Sequence, residues 1–274
     1  MDADTNSAEA KLLLKHAKTL RFHTGNLVNR NRMKKKCPRS PSEELRDCIQ
    51  ATLSDWLSTT KPPTTDFSDT LDCSIPEVTD AITPEEREEV KVSVKLFLCE
   101  PGPSSITDAV EMAHQTLAVS QLDSVIIAPP GPLEGDSQSL AHLQPAWEKL
   151  EALVRSQKIA AIGTSDLDKD LLEQLYNWAQ VKPSSNQVNL ASCCVMPPDL
   201  TAFAKEFDIQ LLTHSDPKEL ISAATFQEAV QEAVQDLTVA DWRLEWVLRY
   251  SVIVKSRGIF KSKGYLVSAN RASP

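Results

Sequence analysis

The chain has 274 residues, which is close to the usual size of one (β/α)8 barrel and small for two α/β domains. Its net charge of −9 disfavours binding to nucleic acid or to an anionic membrane, because like charges repel. The sequence shows neither an apolar run of membrane-spanning length nor the pattern of a signal peptide, and its six cysteines have no regular spacing. We therefore expect a cytoplasmic protein in a reducing compartment.

The first third of the sequence contains few regular elements. We expect residues 1–19 to form a polar arm that leads into a short helix, and residues 22–28 to form a strand. The basic cluster at residues 30–39 is either a solvated loop or a contact for an acidic partner or a phosphate. A helix is predicted to begin at Ser40, whose side chain can cap it. Residues 58–85 are rich in Pro, Thr, Ser and Asp, which predicts a long irregular connection.

Short apolar runs alternate with helix-length segments over residues 122–216, which predicts four strands with three helices between them. The runs at 125–127 and 159–162 are continuously apolar, as is typical of parallel strands that are covered on both faces. A further strand at 90–98 and a helix after it precede these units. The pattern predicts an α/β fold, most simply a (β/α)8 TIM-type barrel that is incomplete or modified in its N-terminal third. We expect one domain over residues 1–274.

The C-terminal part is predicted to contain one or two helices at 218–237, a last amphipathic helix at 242–250, a last strand at 251–256 and a basic tail at 258–274. Tryptophans on barrel helices are mostly core residues, but Trp and Arg are also enriched at binding hot spots. The candidates for a partner surface on the last helix are Trp242, Arg243 and Trp246.

No established metal or nucleotide motif occurs in the sequence. Cys-x-x-Cys is absent and the histidines are scattered, so we expect no zinc site. No glycine-rich phosphate-binding loop is present, and the chain has only 7 glycines, so an ATP site of that kind is not expected. The adjacent pair Cys193 and Cys194 is either two buried small hydrophobes or a redox handle for a disulfide to a partner chain.

Five sequence blocks resemble, in order, the conserved blocks of the aldo-keto reductases: KLFL, LDSVIIAPP, KIAAIGTSDLDKDLLEQL, SSNQVNLA and VIVKS. They span roughly residues 90–260. The blocks IGTSDLDK, QLYNWAQVKP and RYSVIVKSRG resemble more closely one branch of that superfamily, the regulatory (modifier) subunits of glutamate–cysteine ligase. So do TGNL near the start and the segment KKCPRSPSEEL.

The superfamily resemblance implies a catalytic set of Tyr, Lys, Asp and His, which this chain does not reproduce. Lys95 matches the family Lys, but Ala128 occupies the position of the His. The Tyr should precede Lys95, whereas the three tyrosines of this chain all follow it. We therefore expect no catalytic residues and regard Lys95 as vestigial. The alternative is an NADPH-dependent aldo-keto reductase with relocated acid–base residues, for which His114 is a candidate acid.

The resemblance also implies which residues would face a nicotinamide cofactor. These positions either form a residual NADP(H) pocket or are remnants that the fold keeps for packing and hydrogen bonding, and no cofactor is required in the second case. Asp166 replaces the usual Asn, and His214 replaces the aromatic that stacks on the nicotinamide. The positions are Ser165, Asp166, Gln187 and His214 on the nicotinamide side, and Lys255, Ser256 and Lys261 on the 2′-phosphate side.

Resemblance to the branch implies a non-catalytic regulatory subunit. It implies a heterodimer with the catalytic subunit of glutamate–cysteine ligase, better use of glutamate and weaker feedback inhibition by glutathione. An intermediate alternative is a regulatory subunit that senses NADP(H) in the old pocket. Neither nucleic acid nor a membrane is expected as a partner.

Overall fold

A computed structural model describes residues 13–28, 38–59, 68–74, 81–100, 104–130, 139–190, 195–236 and 241–271. Most of the predicted N-terminal arm and of the basic cluster at 30–39 lies outside these ranges, as do Cys193 and Cys194. Residues 13–16, at the end of the predicted arm, form one helical turn.

The described strands are β1 (Thr19–His23), β2 (Thr70–Ser74), β3 (Val90–Leu98), β4 (Ser124–Ala128), β5 (Ile162–Ser165), β6 (Ser185–Asn189), β7 (Gln210–His214), β8 (Trp242–Val254) and β9 (Ile259–Arg271). The labelled helices are α1 (Pro41–Thr59), α2 (Pro84–Arg87), α3 (Ser104–Leu117), α4 (Leu140–Arg155), α5 (Lys169–Trp178), α6 (Pro198–Glu206) and α7 (Ala223–Val234).

The strands form one mixed sheet in the order β2-β1-β9-β8-β3-β4-β5-β6-β7. Strands β3 to β7 are parallel, and the helices α3 to α6 connect them in turn. The predicted α/β class, the parallel sheet and the four strands with three helices over 122–216 are therefore confirmed. On the other side of β3 the sheet continues with the antiparallel hairpin β8–β9, and then with β1 and β2.

The predicted helical segment at 218–237 contains α7, but two other predictions for the C-terminal part were wrong. Residues 242–250 are not a helix but the first part of β8, and most of the predicted basic tail is β9. Along most of β8 buried residues alternate with more exposed ones, which is the period of a strand. The predicted irregular connection at 58–85 contains β2, which pairs in parallel with β1, and the short helix α2.

The buried apolar side chains form two clusters, one on each face of the sheet. Helices α3 to α6 contribute to the first cluster, and α1 and α7 contribute to the second. On β3, Val94 and Leu96 belong to the first cluster and Phe97 to the second. Because side chains alternate along a strand, Lys95 lies on the same face as Phe97. Among the described helices, none is long and apolar enough to cross a bilayer.

Candidate functional site

A buried carboxylate, Asp216, lies at the centre of a polar cluster at the carboxyl ends of the parallel strands. Its Oδ2 accepts a hydrogen bond from Lys95 Nζ at 2.9 Å, and both of its oxygens accept from the Arg249 guanidinium at 2.6 and 2.8 Å. The side chains of Lys95 and Asp216 are only 5% and 3% exposed. Lys95 is on β3, Arg249 is on β8, and Asp216 follows β7. The ion pairs therefore join three strands through one carboxylate.

The imidazole of His214, the last residue of β7, joins Asp216 to a second carboxylate. Its Nδ1 accepts a hydrogen bond from the backbone N–H of Asp216 at 3.1 Å. Its Nε2 lies 3.0 Å from both carboxylate oxygens of Asp166. Since Nδ1 is the acceptor, the neutral ring carries its hydrogen on Nε2 and donates it to Asp166.

The backbone at Asp166 is in the left-handed region, with φ of +59°. This conformation is unfavourable for most non-glycine residues but is tolerated by Asn and Asp, whose short side chains can form local hydrogen bonds. The Asp166 N–H donates to the Gln187 carbonyl at 2.6 Å, and Oδ1 accepts from the Asn189 N–H at 2.8 Å. Ser165 Oγ donates to Oδ2 at 3.2 Å. The turn after β5 thus holds the carboxylate toward the His214 ring.

The cluster shifts the pKa values of its members in a consistent way. Burial favours the neutral form of Asp216, but hydrogen bonds from His214, Arg249 and Lys95 outweigh it and hold its pKa far below the usual range. Burial lowers the pKa of Lys95 more than Asp216 raises it. The pKa of His214 is raised, because its hydrogen bonds to Asp166 and Asp216 outweigh the effect of burial. At neutral pH Asp216 is therefore an anion, and it lies against the Arg249 guanidinium and the Lys95 amine.

Two cavities adjoin Lys95. A cavity of about 290 Å³ contains Ala128 and the cluster, and one of about 360 Å³ contains Gln187 and Arg249. The Gln187 Oε1 is buried and has no hydrogen-bond partner among the described residues. The predicted site residues that line the first cavity are Lys95, Ala128, Ser165, Asp166 and His214.

The predicted residues on the 2′-phosphate side do not join this cluster. Strand β8 runs antiparallel to β3, so its end at residue 254 pairs with the first residue of β3, at the opposite edge of the sheet. Lys255, directly after β8, donates from Nζ to the Glu88 carbonyl at 3.0 Å, and Lys261 forms an ion pair with Glu86 at 2.6 Å. Ser256 is exposed in the turn between β8 and β9. The structure thus divides the seven predicted cofactor positions between two edges of the sheet.

Comparisons with known proteins agree with this scaffold. The family model described as "Aldo/keto reductase family" matches residues 74–259. The chain is 62% identical to "Glutamate--cysteine ligase regulatory subunit" of Homo sapiens over 97% of this chain and 98% of that protein. The chain belongs to the aldo/keto reductase family, in the branch of the glutamate–cysteine ligase regulatory subunits.

Two further relatives, one similar and one more distant, show the range of sequence identity within the family. The regulatory subunit of Bos taurus is 61% identical over 97% of this chain and 98% of that protein. The glyoxal reductase of Bacillus subtilis is 26% identical over 63% of this chain and 59% of that protein. The resemblances read from the sequence, to the aldo-keto reductases and to this branch, are both confirmed.

In this member of the aldo/keto reductase family the matched lysine has no phenol beside it in the cavity of the cluster. All three tyrosines of the chain are described. Tyr176 packs on Phe203 and Phe207, whereas Tyr250 and Tyr265 line the second cavity, where Tyr265 donates to Glu44 at 2.9 Å. The Lys95 amine instead binds Asp216.

The surface predicted for partner binding is mostly buried. Trp242 and Trp246 are 3% and 0% exposed, because their positions on β8 direct them into the two cores. Arg243, between them, is exposed and lies 3.4 Å from Glu100. Burial rules out a direct role for the two tryptophans in contacting a partner. The alternatives for Cys193 and Cys194 remain predictions.

The sequence did not indicate the two residues that organise the cluster. Asp216 stands two positions after His214, on the same side of an extended chain, and that spacing was a usable signal. Arg249 was not considered as a site residue, because residues 242–250 were predicted to form a helix. Within the described residues there is no group of three or more His, Cys, Asp or Glu side chains that could hold a metal ion.

Proposed function

We propose that this chain is a non-catalytic regulatory subunit that binds the catalytic subunit of glutamate–cysteine ligase and adjusts its response to glutamate and glutathione. The observation that carries the proposal is the 62% identity to a regulatory subunit of that enzyme, which extends over 97% of this chain. The partner is the catalytic subunit, in a heterodimer, and the setting is cytoplasmic glutathione synthesis.

The geometry of the cluster supports the non-catalytic part of this proposal. Reduction of a carbonyl requires an acid within hydrogen-bond reach of the oxygen that receives the proton. In the cavity of about 290 Å³, the Lys95 amine is engaged by Asp216, and Ala128 supplies no acid at the end of β4. No tyrosine is among the residues that line this cavity.

A regulatory subunit acts by binding one state of its partner better than another. A coupling free energy of about 1–3 kcal/mol corresponds to a change of about 5- to 150-fold in the partner's affinity for a ligand. Binding that favours the glutamate-competent state would improve the use of glutamate. The same preference would weaken inhibition by glutathione if glutathione favours the other state.

The second candidate function is the sensing of NADP(H) within the regulatory subunit. The observation in its favour is the cavity lined by Ser165, Asp166 and His214, three of the predicted cofactor positions. The distance between these residues and Lys255, at the opposite sheet edge, argues against one pocket that holds both the nicotinamide and the 2′-phosphate. No cofactor is part of the first proposal.

Mixing this chain with the recombinant catalytic subunit tests the main proposal. We expect a complex with the mass of a heterodimer and a lower KM for glutamate than that of the catalytic subunit alone. Absence of a complex, or a complex with unchanged kinetics for both glutamate and glutathione, would contradict it.

A separate measurement addresses cofactor chemistry. NADPH at millimolar concentration is expected to leave the melting temperature of the isolated chain unchanged and not to be consumed with a panel of aldehydes. A melting shift without turnover would support NADP(H) sensing. Turnover that disappears in Lys95→Met would show that the chain is a reductase.

A further inference from the structure

The tip of the β8–β9 hairpin, residues 253–260, exposes large apolar side chains. Ile259 is 51% exposed and Phe260 is 53% exposed. Among the described residues, Val195 is the only other large hydrophobic side chain that is exposed to this extent. Two of the three such residues are therefore neighbours in sequence at one end of a hairpin.

The strand register places apolar side chains on both faces of the tip. Val254 lies opposite Ile259, and Ile253 lies opposite Phe260. Directly opposite residues of an antiparallel pair point to the same face, and successive pairs point to opposite faces. A flat partner surface would cover only one of these faces, whereas a cleft would cover both.

Hydrogen bonds within the turn organise the tip in the absence of a partner. The N–H groups of Arg257 and Gly258 both donate to the Val254 carbonyl, at 3.2 and 2.8 Å. Gly258 has φ of +64°, which glycine adopts without strain. Lys255 and Lys261 are anchored on the segment around α2, as described above. A preformed tip loses little conformational entropy on binding.

Arg257 is the tip cation that is left available for a partner, since the Lys255 amine donates to the Glu88 carbonyl. Arg257 is exposed and forms no ion pair with a described residue, whereas Lys261 is neutralised by Glu86. Arg and Phe are both enriched in the fully buried cores of protein interfaces. A long polyanion is disfavoured as the occupant, because the chain carries a net charge of −9.

We propose that the β8–β9 tip inserts into an apolar cleft of the catalytic subunit, which supplies a carboxylate to Arg257. This inference rests on the function proposed above and names the surface through which that function is exerted. Ile259 and Phe260 fill the cleft from the two faces of the hairpin, and the charged turn reaches its floor or rim.

Affinity for the catalytic subunit, measured with purified variants, tests the inference. The double variant Ile259→Ser/Phe260→Ser is expected to raise Kd at least about 30-fold, since it truncates two apolar side chains that the proposed complex buries. Arg257→Glu is expected to raise Kd at least about tenfold, because it places a like charge against the carboxylate. Val195→Ser and Lys205→Glu are the matched controls, one for an exposed apolar side chain and one for a charge reversal, and are expected to change Kd less than about twofold.

Hydrogen exchange gives the location independently of the variants. Amide exchange at residues 255–260 should slow when the catalytic subunit is added, while the melting temperature of Arg257→Glu stays that of the wild type. Tip variants that bind within about twofold of the wild type, or unchanged exchange at the tip, would overturn the inference and leave the proposed function intact. If the wild-type chain forms no complex, both fail. A dimer of this chain alone that the tip variants dissociate would assign the surface to a second copy.

Discussion

Replacing Asp216 by Asn tests whether the polar cluster stabilises the fold. The variant keeps one acceptor oxygen but removes the charge that neutralises Lys95 and Arg249. Removing one partner of a buried ion pair costs about 3–5 kcal/mol. Each hydrogen bond to a charged group contributes about 1.5–3 kcal/mol, and the Arg249 share is discounted because its side chain is 28% exposed. We expect the free energy of unfolding to fall by about 3–5 kcal/mol.

Urea unfolding at pH 7, followed by the fluorescence of the five tryptophans, measures this change. The matched control is Asp69→Asn, whose partner Lys18 is 2.9 Å away but whose pair is 73% and 70% exposed, so no measurable loss is expected. A loss below about 1 kcal/mol in Asp216→Asn would refute the reasoning. Adding Lys95→Met to Asp216→Asn should cost less than the sum of the single variants, since it removes one unpaired cation.

The pH dependence of this loss has a definite sign. The pKa of Asp216 is lower in the folded chain than in the unfolded chain, so its contribution is complete above the unfolded value of about 3.9 and is lost as the pH falls below it. The difference in unfolding free energy between the wild type and Asp216→Asn should therefore shrink in acid. A difference that grows as the pH falls would mean that the carboxylate is not stabilised in the folded state.

Three other outcomes follow from the same structure. The pKa of His214, measured by NMR, should lie above its ordinary value of 6.5 and should fall in Asp166→Asn. The contribution of protonated His214 to the free energy of unfolding is therefore present at low pH and is lost as the pH rises through the folded pKa. A folded pKa at or below 6.5 contradicts this. Gly163→Ala should lower the free energy of unfolding by about 1–3 kcal/mol, because the new Cβ would lie 2.8 Å from the Ser185 carbonyl oxygen, and unchanged urea unfolding would refute it. Cys73, which is buried and has a raised pKa, should resist iodoacetamide at pH 8 in the native chain and react after unfolding, as peptide mass mapping can show.

The sequence was sufficient to predict the parallel half of the sheet and one edge of the site. Parallel strands covered on both faces are continuously apolar, so β4 could be recognised without a period, whereas the apolar run at 159–162 meets β5 only at Ile162. Ser165 and His214 were grouped through the family resemblance; in the structure their side chains lie 3.5 Å apart, because the carboxyl ends of parallel strands meet at one edge.

The hairpin could not be recognised because its apolar residues fit two periods at once. Trp242, Trp246 and Tyr250 are spaced four apart, as on a helix, while the fuller set at 242, 244, 246, 248 and 250 alternates as on a strand. Pairing with β9 is what makes this segment a strand and not a helix, and pairing between distant segments leaves no pattern in the local sequence. Because of the predicted helix, Arg249 was also left out of the predicted site.

The cluster connects the two inferences about this chain. Asp216 binds Lys95 on β3 and Arg249 on β8, so it fastens the hairpin to the parallel strands at the position that matches the family's catalytic lysine. If these contacts of Asp216 help to orient the tip, Asp216→Asn should weaken binding to the catalytic subunit under conditions in which the variant is still folded. If binding is unchanged while unfolding becomes easier, the ladder between β8 and β9 alone sets the position of the tip, and the cluster serves only the stability of the sheet.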